Sequence, residues 1–358
     1  MFESFDELPG GHRELLKAAG ADVYALSPGW FSNFAATVLQ PGDTLRIVTV
    51  TAPDGTALAL LPLYKRRGDR RKGHGELASL ANFYTCEFDV ISGRNGEDPQ
   101  AIADSLCSAI AAQRPRPDIV RIDSLPECGM WLAPLLRGFR KAGFLVEPFE
   151  YFGCWFESLQ NKTMADYMAS RPGRLRSTVT RKRRRMERYG DARVVIASAL
   201  EDAKLLIADY EEVHAKSWKP AEPHPDFMPG LIHVAARDGA LRLGVLYRAE
   251  RPIAAQLWLL SGTRATIYKL SYDSAHGRDS PGAVLTLYMI EHAVAEGSLT
   301  ELDFGRGDDP YKREWLKERR ARWSLIAMNP RTANGALCAL RRMTKHWAKR
   351  VLGRVWPV

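Results

Sequence analysis

Hydrophobic positions follow two periods in the second half of the chain. Short apolar runs typical of strands, around Gly/Pro turns, occupy residues 193–197, 241–247, 253–260, 264–272, 302–304 and 322–328. Apolar positions at helical spacing occupy residues 201–218, 225–236 and 283–294. Together with a short helix near Trp315, these patterns predict the order β-α-α-β-β-β-α-β-α-β for residues 191–330.

The first half repeats this order more loosely. Helices are predicted at 27–38, 99–112 and 130–142, and strands at 45–51, 57–63, 83–91, 119–122 and 144–156. A self-similar pair at this spacing indicates a duplicated domain. We therefore expect an α/β (α+β) chain of two mixed, twisted sheets flanked by helices. Its expected parts are an N-terminal domain (1–158), a basic connecting helix (159–190), a second domain (191–330) and a C-terminal helix (331–358).

Composition narrows the class of protein. The net charge of +9 favours an anionic partner such as phosphates or lipid headgroups. The five cysteines have no CxxC spacing, so we expect neither a zinc site nor a disulfide framework. The opening residues MFESFDELPG lack basic and apolar signal regions, and no apolar run is long enough to span a bilayer. We expect a reduced, metal-free protein that is cytoplasmic or peripheral on the inner face of the membrane. The cysteines are Cys86, Cys107, Cys128, Cys154 and Cys338.

A loop with Gly277, Pro281 and Gly282 joins the strand at 264–272 to the next helix. A loop that opens a helix directly after a strand presents backbone N–H groups at a positive dipole end. Arg278 lies in the same loop. This arrangement favours binding of a phosphate group.

Several residues around this loop carry a resemblance to a known family. They are Ser280-Pro281-Gly282, Leu285, Asp303-Phe304-Gly305-Arg306-Gly307-Asp308, Tyr311-Lys312 and Trp315. This pattern resembles the GNAT acyltransferase superfamily, and within it the CelD/BcsL-like (cellulose-biosynthesis-type) branch, which is related to the Fem-type aminoacyltransferases of peptidoglycan. The resemblance implies tandem GNAT folds. It is weak in the first half, where 121–126 reads RIDSLP, and this implies a degenerate copy that shapes the acceptor site.

The resemblance implies direct attack of an amine on the thioester of acyl-CoA, a co-substrate, without metal or covalent intermediate. No GxSxG element is present, which also disfavours covalent catalysis. The residues implied in donor binding are Arg278, Ser280, Gly282 and Ala283 in the loop and helix start, with Leu270 and Ser271 on the preceding strand.

Six residues are candidates for catalysis. Asp308 is a base or orients the amine, or else is a helix N-cap. Tyr311 is a candidate proton donor to the thiolate, and Lys312 a contact of CoA phosphate or the oxyanion; alternatively both lie on a surface helix. His214, just before a Ser217-Trp218-Lys219 run that recurs in this branch, and His276 with Asp273 are further candidate bases. A structural role remains open for each histidine.

Two basic segments have open interpretations. Residues 174–188 indicate a solvated connecting helix or a basic face for lipid or CoA. Nucleic-acid binding is less favoured, because no aromatic residues alternate with the basic ones in this segment. In the C-terminal segment, an apolar face and a basic face indicate either a membrane-surface helix or a helix packed on the sheet. The apolar face holds Leu337, Leu340, Trp347 and Val351, and the basic face Arg341, Arg342, Lys345 and Lys349.

The expected function is therefore acyl-CoA-dependent N-acylation of an amine in cell-envelope biosynthesis. The acceptor is an amino sugar of an exopolysaccharide precursor or a long-chain lipid amine such as a sphingoid base. The alternatives are an aminoacyl-tRNA-dependent Fem-type transferase and a non-catalytic scaffold or regulator of a glycan-export system.

Overall fold

The computed structural model describes residues 1–67, 75–93, 98–160, 162–190 and 192–355. Two compact units divide the chain. The first contains Met1–Ala19, Gln40–Phe152 and Ala321–Val358, and the second contains Gly20–Leu39 and Gly153–Arg320. This division differs from the expected boundaries at 158 and 330, because each unit includes a segment from the other half of the sequence.

The bounds of the elements follow the chain. The helices are α1 (Gly10–Asp22), α2 (Pro28–Thr37), α3 (Pro99–Ala111), α4 (Leu132–Lys141), α5 (Met164–Ala169), α6 (Gly173–Tyr189), α7 (Leu200–Ala215), α8 (Phe227–Arg237), α9 (Pro281–Glu296), α10 (Lys312–Trp315) and α11 (Ala333–Val355). The strands are β1 (Thr44–Thr51), β2 (Ala57–Lys65), β3 (Glu76–Ser79), β4 (Ile91–Ser92), β5 (Ile119–Pro126), β6 (Leu145–Ser158), β7 (Ala192–Ala197), β8 (Leu241–Arg248), β9 (Arg251–Ser261), β10 (Arg264–Tyr272), β11 (Glu301–Asp303) and β12 (Glu318–Met328). Short 3₁₀ turns cover Tyr24–Leu26 and Ser274–Asp279.

The two units repeat one connectivity. In the first, β1, β2 and β3 are successively antiparallel, and β3 is parallel to β5. In the second, β8, β9 and β10 are successively antiparallel, and β10 is parallel to β11. The connection between the parallel strands contains α3 in the first unit and α9 in the second. The predicted α/β class is confirmed, with the difference that the strands belong to one large mixed sheet flanked by helices and not to two separate sheets.

In each unit, one strand comes from the other half of the sequence. Residues 156–158 of β6, at the end of the first half, pair with β11 in the second unit. Residues 322–328 of β12, which the sequence pattern assigned to the second domain, pair antiparallel with β5 in the first unit. Hydrophobic periodicity identifies a strand but does not identify its partner.

The strand predicted at residues 83–91 is wrong except at its last residue. Asn82 begins a turn in which its side-chain oxygen accepts from Tyr84 N at 2.8 Å. Thr85 Oγ1 accepts from Asn82 N at 3.2 Å in the same turn. Asn and Thr side chains that bind nearby backbone groups in this way compete with the strand ladder.

Helix α6, in the segment expected to be a connecting helix, is part of the second unit's core. Its predicted apolar stripe of Leu175, Val179 and Met186 is buried in one cluster with residues of α9 such as Val284 and Leu287. Its basic residues therefore keep a fixed direction relative to the second unit.

Candidate functional site

The candidate site lies where β10 and β11 separate. They pair only from Arg264–Thr266 to Glu301–Asp303, and β10 continues to Tyr272. The chain after β11 stays on β6 instead, since Phe304 N donates to Trp155 O at 2.8 Å and Gly307 N to Gly153 O at 2.9 Å. No strand among the described residues pairs with the far half of β10 on that side.

Successive backbone N–H and C=O groups of β10 point alternately toward β9 and toward the side that β11 has left, which we call the open edge. Asp273 N donates to Ile253 O of β9 at 2.9 Å, so the alternation of an antiparallel ladder directs the backbone of Ser271 toward β9. The backbone of Leu270 and Tyr272 faces the open edge. The carbonyl oxygen of Leu270 accepts a hydrogen bond from Lys219 Nζ.

The predicted phosphate-binding loop ends at the exposed start of α9. Ser280, in the left-handed region (φ 52°), precedes the helix and its side chain makes no capping hydrogen bond. The first helical bond runs from Val284 N to Ser280 O, and Pro281 has no N–H. The N–H groups of Gly282 and Ala283 therefore have no partner within the helix.

Gly282 is required by the close approach of α9 to β10. A Cβ at this position would lie 3.1 Å from Tyr272 Cδ1 and 3.5 Å from a methyl carbon of Leu270. Any larger side chain would displace the Tyr272 ring, which itself lies against Trp218 at a centroid distance of 4.5 Å.

Basic side chains surround the loop before α9. Asp279 lies 3.1 Å from Arg248, 3.6 Å from Arg185 and 4.0 Å from Lys182. Lys182 also donates to the carbonyl oxygen of Arg278. One carboxylate faces three cations, so the loop has a local excess of positive charge. The sequence showed the basic run of α6 but not its position beside this loop.

The corresponding helix start in the first unit, that of α3, is capped by a side chain. The Asp98 side chain caps α3 by accepting from Gln100 N at 2.9 Å. Its carboxylate satisfies one free N–H group and places a negative charge where an anion would bind.

A polar cluster lies on the sheet face that carries α7. It contains His214, Lys219, Glu222, Lys269 and Ser271. Lys269 pairs with Glu222 at 2.8 Å, and His214 Nε2 lies 3.9 Å from Glu222 Oε1. His214 Nδ1 lies 3.4 Å from the buried Ser271 hydroxyl. Ser271, predicted to bind the donor, thus directs its side chain to His214.

Burial disfavours positive charge in this cluster. It lowers the pKa of His214, although the charge of Glu222 opposes the shift. It lowers the pKa of Lys219 to about 8; the charges of Lys269 and Lys312 act in the same direction, and Glu222 opposes them. His214 is therefore neutral at pH 7. Lys219 loses its proton at a pH only slightly above 7.

Lys312 holds the glycine-rich turn after β11. Its Nζ donates to Arg306 O at 2.5 Å and Gly307 O at 3.2 Å and lies 3.3 Å from Asp309, and only 6% of its side chain is exposed. Gly307 has φ 106°, which a residue with a Cβ adopts only under strain. The alternative of a freely solvated surface lysine does not fit this burial.

Asp308 lies on the same turn in an ion pair with Arg319, at 3.0 and 2.7 Å. The Arg319 hydrogen bonds lower the pKa of Asp308, so it is ionised and a weak base. It is not a helix N-cap, because α10 begins at Lys312 with Tyr311 before it. Tyr311 is 44% exposed and contacts Phe304 edge-on at 5.8 Å.

Asp273 and His276 lie beyond the end of β10. Asp273 caps the 3₁₀ turn by accepting from Ala275 N at 2.9 Å, and its carboxylate lies 3.6 Å from His276 Nδ1. The predicted residues thus fall into four groups: the β10 edge and α9 start, the polar cluster with His214, the turn at 305–312, and this 3₁₀ turn. Glu222 was not predicted, and Lys219 was noted only as the last residue of the Ser217-Trp218-Lys219 run, without a role of its own. Over the described ranges, no three His, Cys, Asp or Glu side chains are grouped to hold a metal ion.

Comparison with known proteins agrees with this geometry. The family model described as "Acetyltransferase (GNAT) domain" matches residues 173–313. A crystal structure of FemX is similar over 95% of this chain and 98% of its own, with a TM-score of 0.63 and 12% identity. A Bacteroides thetaiotaomicron protein of unknown function has a TM-score of 0.59, 10% identity and coverage of 91% and 100%.

A third similar structure is the C-terminal DUF2156 domain of a putative lysylphosphatidylglycerol synthetase from Agrobacterium fabrum. Its TM-score is 0.52 at 12% identity, over 83% of this chain and 88% of that one. No curated protein matches the chain. These likenesses establish the fold, and within it residues 173–313 match the family model of an acetyltransferase (GNAT) domain.

Proposed function

We propose that the protein is an acyl-CoA-dependent N-acyltransferase that acts on an amine in cell-envelope biosynthesis. The observation that carries the proposal is the open edge of β10 leading to the uncapped start of α9. The edge from Ile267 to Tyr272 spans roughly 17 Å at the rise of a strand, which suits an extended arm with amide groups. The N–H groups of Gly282 and Ala283 lie at its end, where a diphosphate would bind.

One donor per chain is expected, and it binds the second unit. Asp98 closes the corresponding helix start in the first unit, whereas Ser280 leaves α9 open. The cations Lys182, Arg185 and Arg248 beside α9 would stabilise further phosphate charge. The first unit is then free to contribute to binding of the acceptor, as the resemblance implies.

Calorimetry with CoA tests the donor site. Ser280→Asp copies the acidic cap of α3, adds a negative charge at the start of α9, and should weaken CoA binding at least about tenfold (about 1.4 kcal/mol). Ser280→Asn is the matched neutral control and should retain most of the affinity. Gly282→Asp is a poorer test, because its side chain would displace Tyr272. Equal CoA affinity in both Ser280 variants would refute the proposed donor site.

Mass spectrometry identifies the acceptor. The full chain is incubated with a short-chain and a long-chain acyl-CoA and with either an amino sugar or a sphingoid base. Thiol release together with a stable amide product is the expected result. CoA binding without any product from either amine class would instead favour the alternative of a non-catalytic scaffold or regulator.

An aminoacyl-tRNA donor is the second candidate, and the position of α6 favours it. The sequence resembles Fem-type transferases, which take such donors, and α6 places basic side chains beside the start of α9. A polyanion longer than CoA would contact more of them. Binding of tRNA that weakens steeply with salt, with no measurable CoA binding, would favour this candidate.

Peripheral membrane binding through α11 is also part of the proposal. Leu337, Leu340 and Met343 are 43%, 60% and 65% exposed, while Ala339 is buried against Ile326 and Met328. The helix therefore packs through Ala339 and Cys338 and through an ion pair of Arg342 with Glu147, and it presents larger apolar side chains outward. The side chains of Trp347, Val351, Lys345 and Lys349 lie outside the described residues.

Co-sedimentation with vesicles of anionic and of neutral lipid tests this face. No helix within the described residues is long and apolar enough to cross a membrane. Leu340→Ser should weaken binding to anionic vesicles without changing the melting temperature, because the side chain is exposed. No binding of the full chain to anionic vesicles at low salt would favour a soluble acceptor.

A further inference from the structure

Lys219 occupies the open edge of β10. It follows the end of α7 and its Nζ reaches the carbonyl oxygen of Leu270, which faces the gap where β11 has left β10. The donor arm would run along this same edge. Lys219 therefore contacts the edge along which the donor arm would run, whereas the sequence analysis noted it only as part of the Ser217-Trp218-Lys219 run and gave it no role.

The other charged groups around Lys219 are already paired. Lys269 is bound to Glu222, and Lys312 to two carbonyl oxygens and Asp309. Lys219 itself forms no ion pair with any residue in the described part of the chain; its ammonium has the Leu270 carbonyl and the Trp218 ring, at 5.7 Å. A half-buried lysine without a carboxylate partner gives up its proton more readily than an exposed one, which agrees with its pKa of about 8.

The other candidate bases are less well placed or less suited. Asp308 is held by Arg319 as a weak base. Asp273 caps a turn beyond the end of β10. His214 contacts the Ser271 hydroxyl on the sheet face and lies 3.9 Å from Glu222, whereas Lys219 Nζ reaches the open edge itself.

The geometry points to Lys219 as the catalytic residue that carries the proton during acyl transfer, an inference that rests on the proposed function. In its neutral form, Nζ takes a proton from the acceptor's ammonium group. The freed amine attacks the thioester carbon, and the tetrahedral adduct collapses with cleavage of the carbon–sulfur bond. The departing thiolate takes the proton back from Nζ, and the new amide nitrogen releases its extra proton to solvent.

Lys219→Arg separates proton transfer from charge and hydrogen bonding. Arginine keeps a cationic donor for the Leu270 carbonyl but does not lose its proton at working pH. The expected result is a loss of kcat of about 10²–10⁴-fold with KM for acyl-CoA changed by less than about threefold. Lys216→Arg, in an exposed pair with Glu212, is the matched control and should be unchanged. Near wild-type kcat in Lys219→Arg would overturn the assignment.

Chemical labelling of the wild-type chain is the second measurement and needs no acceptor. At pH 7.5 roughly a quarter of a lysine with a pKa near 8 is neutral, against roughly a thousandth of an ordinary one. Acetic anhydride should therefore acylate Lys219 about tenfold faster or more than Lys216 or Lys204, even after allowing for the lower nucleophilicity of a weaker base. A rate equal to theirs would overturn the inference.

Added CoA separates this inference from the proposed function. Saturating CoA should slow labelling of Lys219 but not of Lys216, because the donor arm would cover the β10 edge. Loss of CoA binding in Ser280→Asp with slow labelling of Lys219 supports the donor site and refutes the proton carrier. Fast labelling that CoA does not affect, although CoA binds, refutes the placement of Lys219 at the donor edge.

Discussion

Removal of Arg171 should destabilise the second unit more than removal of any exposed charge. Arg171 Nη2 lies 2.6 Å from Glu157, and the two side chains are 1% and 2% exposed. Arg171 also donates to the carbonyl oxygen of Trp315, which accepts the Tyr167 hydroxyl at 2.7 Å. Trp315 ends α10, so this buried group of residues fixes the segment that carries Lys312.

The size of the effect follows from the buried charge left behind. In Arg171→Met, Glu157 keeps only Lys162, at 2.7 Å and with 32% of the lysine side chain exposed. Breaking a buried pair by removing one partner costs about 3–5 kcal/mol. For a unit of this size, each kcal/mol lowers the melting temperature by roughly 2–4 °C, so the expected decrease is roughly 6–20 °C.

Calorimetric melting of the full chain measures this decrease. Lys204→Met is the control, since it removes a cation from an exposed pair with Glu201 that is worth about 0–1 kcal/mol. The double variant Arg171→Met with Glu157→Leu removes both charges and should recover part of the loss. A decrease for Arg171→Met no greater than that of Lys204→Met would refute the reasoning.

Three further outcomes are expected. Calorimetric titration should give one CoA per chain, since Asp98 closes α3, and two equivalents would contradict the asymmetry of the units. Asp308→Asn and Lys312→Ala should each lower turnover by an order of magnitude or more, and near wild-type rates in both would remove this turn from the site. Because burial lowers the pKa of His214, the folded protein should lose stability as the pH falls from 6.5 through the folded pKa, and melting of His214→Gln should lack that component; identical pH profiles would contradict it.

The sequence predicted those parts of the fold that depend on local pattern. The hairpin of β8 and β9 and the β10–loop–α9 unit follow from periodicity and from turn residues such as Pro281 and Gly282. Pairing between distant segments did not follow, because an apolar run specifies a face and not a neighbour. This explains why β12 was assigned to the second domain although it pairs with β5.

The parts of the site that a local backbone pattern defines were predictable from the sequence. The parts that depend on contacts between distant segments were not. A strand, a glycine-containing loop and a helix start identify the region of Ser280 and Gly282 from sequence. The sequence marks Lys219 only as part of the Ser217-Trp218-Lys219 run, and the fold is needed to show that its Nζ reaches the edge of β10. The ion pair of Asp308 with Arg319 likewise depends on the path of the chain after β11, and it makes Asp308 a weaker base than its sequence position suggests.

The two units show how one connectivity supports different roles. Both join two parallel strands through a connection that contains a helix, and so both place a helix start beyond the end of a strand. In the first unit Asp98 satisfies a free N–H group with a carboxylate, whereas in the second Ser280 leaves those groups open and α6 adds cations nearby. A single capping residue is enough to decide whether such a helix start accepts an anion, since the cap competes for the same N–H groups and carries the same sign of charge. Donor binding is therefore expected in the second unit although the strands and helices of both would permit it.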